Sequence, residues 1–308
     1  MLIKPSALAG VVLLAASQST EAVVINFDYT YDGGFFSGSN ASRRDILDAA
    51  GGFLGGILTD SLTAITSGGI NNFSAVFQRP DTGASTTLSN FSLAADTLTV
   101  FVGGQTMGAG NLGYGGYGGY SVSGTQDFLT NATQRGQSNA TSGPSATDFA
   151  PWGGQLTFSN SANWYFDTDL STTETFSGND FYSVALHELG HLLGLGSSDS
   201  WDNQATGSGF TGANAVAAYG GNVPLEGDKV HWLEGTKSTV NGIEQEAAMD
   251  PTLRVGTRKV FTQLDLAALK DVGWQVSVTA VPVPSAVWLF GSALLGFIAS
   301  KRKQHLNF

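Results

Sequence analysis

From Ser42 to Leu62 apolar side chains recur at positions 46, 47, 50, 53, 54, 57, 58 and 62, which is helical spacing. Ser42 stands where an N-cap belongs. The four glycines inside the run suit a core helix pressed closely on a sheet. Short runs of strand character follow: FSAVFQ at 73–78, TLTVFVG at 97–103, QLTFSN at 155–160 and NWYFD at 163–167. Gly and Asn divide them. Between 103 and 119 the chain reads GGQTMGAGNLGYGGYGG, and so dense a glycine content predicts a surface loop. Two stronger helices come later. Asp180 is placed to cap one running from Phe181 to Leu195. Thr262 caps another in TQLDLAALKDVGW, residues 262–274, where Leu264, Leu266, Ala267 and Leu269 supply an apolar side and Gly273 the stop. Strands mixed with helices predict an α/β (α+β) domain.

Composition narrows this picture. At 308 residues and 42% hydrophobic content the chain can bury a sizeable core. Charged residues make up only 13%, against 41 glycines, so the surface is loop-rich and weakly charged. A net charge of −11 disfavours nucleic acid, which needs a basic face. The chain has no cysteine, which rules out disulfides and any metal site built on thiolates.

The ends read as addresses. Residues 1–22, MLIKPSALAGVVLLAASQSTEA, pair one Lys with an apolar run and small residues. This predicts a secretory signal peptide cleaved after Ala22. Residues 281–308 hold an uncharged stretch from Ala286 to Ser300, then Lys301-Arg302-Lys303. Its length and basic stop predict a membrane-spanning segment.

The chemistry concentrates in HELGHLLGLGS, residues 187–197. On a helix, His187 and His191 share a face and can aim both imidazoles at one metal ion. Glu188 falls beside the open position, where a carboxylate can take a proton from a metal-bound water. A catalytic zinc ordinarily has three protein ligands. Four histidines are present; His305 lies in the basic tail, which leaves His231, in LEGDKVHW, as the remaining imidazole. Asp199 is the alternative third ligand. Asp167 and Asp169, in FDTD, are candidate calcium ligands.

These motifs resemble the metzincin zinc proteases. Gly194 falls where that family places its glycine, and Ser197 where it usually places a third histidine. The order HELGHLLGLGS, VPLEGDKVHW, AAMDP and FTQLDLAALKDVGW is similar to leishmanolysin-type members, in which an insertion separates the glycine from a late third histidine. The resemblance implies a twisted, mostly parallel sheet in residues 23–280, with zinc on His187, His191 and His231, Glu188 as catalytic base, and Met249 in a Met-turn beneath the metal. It also implies an extended polypeptide substrate paired along an edge strand; QLTFSN is the expected edge. The C-terminal VPVPS, apolar run and basic cluster resemble the PEP-CTERM sorting signal of Gram-negative bacteria. That implies processing by an exosortase, transient membrane association, and a cell-surface or matrix destination. The expected function is a secreted zinc metalloendopeptidase (a hydrolase) acting on extracellular or matrix protein. The rivals are a non-catalytic matrix protein retaining a zincin fold and a zinc hydrolase of non-peptide amides.

Overall fold

A computed structural model describes residues 23–172 and 174–277. The expected signal peptide and sorting signal lie outside them. Thirteen strands and six α-helices are assigned. In chain order they are β1 (Val24–Asp28), α1 (Arg43–Ile57), β2 (Asn72–Gln78), β3 (Ser85–Leu88), β4 (Thr97–Gln105), β5 (Gly113–Tyr117), β6 (Gly119–Ser123), α2 (Gln126–Gln134), β7 (Gly153–Ser159), β8 (Trp164–Tyr165), β9 (Asn179–Asp180), α3 (Phe181–Leu192), α4 (Asp199–Asp202), β10 (Ala205–Thr206), β11 (Gly209–Phe210), α5 (Ala213–Tyr219), β12 (Lys237–Val240), β13 (Ile243–Glu246) and α6 (Gln263–Asp271).

The main sheet has the order β1-β4-β7-β5. β1, β4 and β7 are parallel, and β5 joins antiparallel at one edge. All seven residues of β7 are buried, as expected of a strand whose sheet is covered on both faces, and β4 and β5 flank it. QLTFSN is therefore interior; the sheet's edges are β1 and β5, and β5 is the edge that packs on α3. That corrects two expectations at once, because β5 lies inside the stretch that read as a surface loop. Strand-type residues bounded by Gly and Asn predict β7 but say nothing of its place in the sheet.

α1 and α3 pack on this sheet, and one large core runs through Leu47, Leu54, Val100, Leu156, Leu186 and Leu189. α1 ends at Ile57 rather than Leu62, because Leu58 turns extended and forms a bridge with Val276. Ser42 makes no side-chain cap. A second sheet, β3-β2-β6, carries a smaller aromatic core in which Phe77 stacks on Phe101 at 4.1 Å and Trp152 closes the side. Gly118 makes the turn from β5 into β6: Trp152 lies against it where a side chain would be, and the indole N–H donates to its carbonyl at 3.0 Å. Among the described residues no helix is long and apolar enough to cross a membrane.

Candidate metal centre

Asp180 caps α3 through the Ser183 N–H at 3.1 Å and the Ser183 hydroxyl at 2.6 Å. Arg258 holds the same carboxylate in a two-point pair, at 2.9 and 2.8 Å, and reaches Asp167 at 2.7 Å. The start of α3 is thus tied to the segment before α6. Asp167, a candidate calcium ligand, is engaged by Arg258, and Asp169 accepts from its own turn at Ser171.

One turn apart on α3, His187 and His191 face each other, their Nε2 atoms 3.1 Å apart. α3 ends at Leu192 rather than Leu195, since Gly194 takes φ +99° and turns the chain away. Ser197 is spent on the helix end: its hydroxyl donates to the His191 carbonyl at 2.6 Å. Asp199 faces elsewhere and accepts from the Gly143 N–H.

Residues 198–230 form α4, the β10–β11 hairpin and α5, then return. Their anchor is aromatic: Trp201 stacks on Phe210 at 4.2 Å, and Trp232 meets both at 5.0 and 5.5 Å. The return is a hairpin in which Leu225 bridges Trp232 and Glu226 N–H donates to the His231 carbonyl at 3.0 Å. Gly196, at φ +71°, lies directly against the Val230 carbonyl; any side chain there would push the returning strand away. His231 Nε2 arrives 3.2 Å from His191 Nε2.

Three imidazoles therefore converge, with ligating atoms all within 4.8 Å of one another. Each ring's other nitrogen is occupied. His187 Nδ1 faces the Ala248 carbonyl at 2.7 Å, His191 Nδ1 the Leu195 carbonyl at 2.8 Å, and His231 Nδ1 the Asp228 carboxylate at 3.2 Å. Carbonyls and carboxylates only accept, so these contacts fix Nδ1 as the protonated nitrogen and leave three Nε2 lone pairs aimed at one point. Burial and the neighbouring imidazoles hold His187 well below its usual range, and burial takes His191 down to about 4, so both rings are neutral near pH 7. Lone pairs crowded together repel unless a cation sits between them; the donor set fits zinc.

Met249 lies directly beneath. Its Sδ fills the space a side chain at Gly190 would need, so Gly190 is the floor between the two helix histidines. The turn is held by Asp265, which is fully buried. Its carboxylate accepts from the N–H groups of Ala248 (2.9 Å) and Met249 (3.2 Å), from Trp232 Nε1 (2.9 Å) and from Thr262 (2.8 and 2.7 Å). One carboxylate thus fixes the residue beside His231, the carbonyl that orients His187, and the start of α6. Neither Asp265 nor Asp228 was legible as a site residue. Their signal would have been an acidic residue on an otherwise apolar helix face and one three residues before a candidate ligand.

Glu188 points into a cleft of about 880 Å³ that also exposes the three histidines and is walled by Val184, Pro251 and Leu253. Burial pushes its carboxyl up to about 8, opposed by a hydrogen bond from the Gly115 N–H; a cation on the histidines would pull it down again. β5 lies across it. Cβ atoms at Gly113 or Gly115 would collide with the Glu188 side chain, so two glycines let the strand backbone rest on the helix. Leu112 and Gly118 bond to β7. By antiparallel alternation the N–H and C=O groups of residues 113, 115 and 117 then face away from the sheet.

Residues 128–205 match the family model Matrixin. Metalloendoproteinase 1 of Glycine max is 44% identical over 50 residues, a segment that is 16% of this chain and 16% of that protein. The chain thus matches less than a fifth of that relative's length. No solved structure matches the chain. The family match supports a metzincin-like metalloprotease and covers α3 with its HELGH motif. It stops short of His231 and Met249, which the geometry alone joins to the site.

Proposed function

We infer that this chain is a zinc-dependent endopeptidase, exported from a Gram-negative cell and acting on extracellular or matrix protein. His187, His191 and His231 hold the metal, and Glu188 is the catalytic base. The observation that carries this is the set of three Nε2 lone pairs turned on one point while every Nδ1 is occupied. Support for export is the pairing of an apolar, Lys-led start with an apolar, basic-tailed end.

Zinc, when bound, supplies Lewis acidity that polarises a carbonyl and acidifies water. The protein's own groups do the rest. Glu188, beside the ligands and shielded by β5, accepts a proton from the attacking water at a carboxylate oxygen and returns it to the leaving amine. Substrate lies extended along β5, pairing with the outward groups of Gly113 and Tyr117 and the Gly115 carbonyl. Antiparallel pairing is the more stable arrangement. It runs the substrate from the Tyr117 end toward the Gly113 end. Met249 packs beneath and does not ligate.

The test is zinc per chain and cleavage of an unstructured protein by the full chain, by His231→Ala and by Glu188→Gln. The expected result is about one zinc in the wild type and in Glu188→Gln, with marked loss in His231→Ala. Cleavage by Glu188→Gln should fall by at least about a hundredfold, the general-base contribution. Full cleavage by Glu188→Gln, or undiminished zinc in His231→Ala, would overturn the assignment.

A further inference from the structure

A second pocket, of about 350 Å³, adjoins the cleft, and Ala162 lines both. Its walls include Phe35, Asn40, Arg43, Asn160 and Phe166. Arg43, the first residue of α1, is half-buried. Its guanidinium carbon sits 4.5 Å from the centroid of the Phe35 ring and 4.3 Å from that of Phe166. One NH group donates to the Phe35 carbonyl at 3.0 Å. Among the described residues no carboxylate lies within ion-pair distance of it; Arg44 and Arg135 also lack one, but Arg135 spends its donors on three backbone carbonyls. Burial with no opposing charge holds its pKa below the usual value. A guanidinium taken partly out of water, with aromatic rings across it and donors left over, is a preset fork for a planar anion.

The position of the pocket says what would bring that anion. In the pairing along β5 argued above, substrate leaves the catalytic centre past Gly113 and Leu112. Ser159 is paired with Leu112 there, and Ser159, Ser161 and Ala162 form the cleft wall. Asn160 and Ala162 then open into the Arg43 pocket. We propose that Arg43 and its aromatic walls form a carboxylate-binding subsite for the part of a polypeptide substrate downstream of the scissile bond. The enzyme would thereby favour chains with an acidic residue, or a chain terminus, on that side. This rests on the peptidase reading and on the strand direction within it.

The probe is a set of short peptides that fill only the downstream half of the cleft, with glutamate walked through each position and compared with glutamine. Binding to the zinc-loaded full chain is read by fluorescence anisotropy. One position, or two neighbours, should bind glutamate about tenfold more tightly than glutamine, as for one charge-assisted hydrogen-bonded contact. The difference should shrink with added salt and vanish in Arg43→Met. Should Arg43→Met fail to fold, Arg43→Lys, which keeps the charge without the fork, should lose most of the preference. Peptides with free or amidated C-termini separate a terminal carboxylate from a side chain. Equal binding of glutamate and glutamine at every position and of both termini, or a preference untouched by the Arg43 variants, would overturn the proposal. Cleavage of longer peptides is scored separately. A glutamate preference in binding without any cleavage would overturn the peptidase reading and leave the subsite standing; cleavage with no preference would do the reverse.

Discussion

The three imidazoles differ in what orients them, and that difference sets how each can fail. His187 and His191 lean on backbone carbonyls of the core, which no single side-chain change removes. His231 leans on Asp228, whose side chain is 53% exposed. Asp228→Ala should therefore weaken zinc binding by about 10- to 100-fold, the usual cost of losing an outer partner, while the metal-free melting temperature hardly moves. Competition with a chromophoric chelator measures the first and a thermal scan the second. Asp265 presents the opposite case. It is buried and satisfies five donors from three segments. Asp265→Asn puts an amide NH₂ where acceptors are needed, so it should cost about 3 kcal/mol of stability and loosen His231 and the Met249 turn together; urea unfolding with and without zinc reports both. His187, Glu188 and His191 were legible because the motif is local. His231 was legible by elimination, there being four histidines in all. Asp265 and Gly196 act through partners distant in sequence, whereas Asp228 lies only three residues before His231, a spacing that by itself does not single it out.

At the scale of elements, β5 is the informative strand. Glycine has no side chain to pack and weakens a strand, so GYGGY read as loop. The tertiary reason for tolerating it is Glu188: a Cβ at Gly115 would sit 2.8 Å from the Glu188 Cβ, closer than packed carbons allow. Gly115→Ala should push strand and helix apart and misplace the carboxylate, with a loss in kcat on the order of 100-fold, as a misplacement of about 1 Å can cost. Zinc content should stay at the wild-type level, because the ligands lie on other contacts. Gly116 is the control. A Cβ there meets only the Gln155 amide at 3.7 Å, and Gly116→Ala should keep kcat within about twofold. Equal losses in both variants would mean that β5 as a whole tolerates no side chain, and that fit against Glu188 does not explain the glycines. The helices were more legible than the strands. Thr262 and Asp265 form a reciprocal cap at the start of α6, and Asp180 caps α3. Such signals are local, whereas the order of strands in the sheet depends on contacts between residues far apart in the chain.

Across the whole molecule, both ends of the described chain are fastened at one place. Val23 N–H donates to the Leu58 carbonyl at 3.3 Å, Thr59 N–H to Gln275 at 2.9 Å, and Ser277 N–H to Ile57 at 2.8 Å. Residues 24–28 are a strand of the main sheet, so they belong to the domain. Asp60 stands at this junction, buried, accepting from the Gln275 N–H at 2.9 Å. Burial pushes its carboxyl up to about 6, helped by nearby Asp148 and opposed by that hydrogen bond. For an acid raised on folding, the sign follows from proton linkage. The folded state holds the proton more tightly, so the stability tied to it is complete below the ordinary aspartate value near 3.9 and is lost as pH climbs through about 6. Above that, folding must carry a buried charge. Asp60→Asn keeps an acceptor for Gln275 and removes the charge. It should match the wild type at pH 4 and exceed it by about 1–2 kcal/mol at pH 8. The check is the difference in denaturation midpoint at steps across that range, measured without zinc so that metal binding does not add its own pH dependence. A constant difference would mean that Asp60 titrates alike in both states. A deficit growing toward pH 8 would mean that the charge is needed to hold Gln275, so that the ion itself fastens the chain's end to α1.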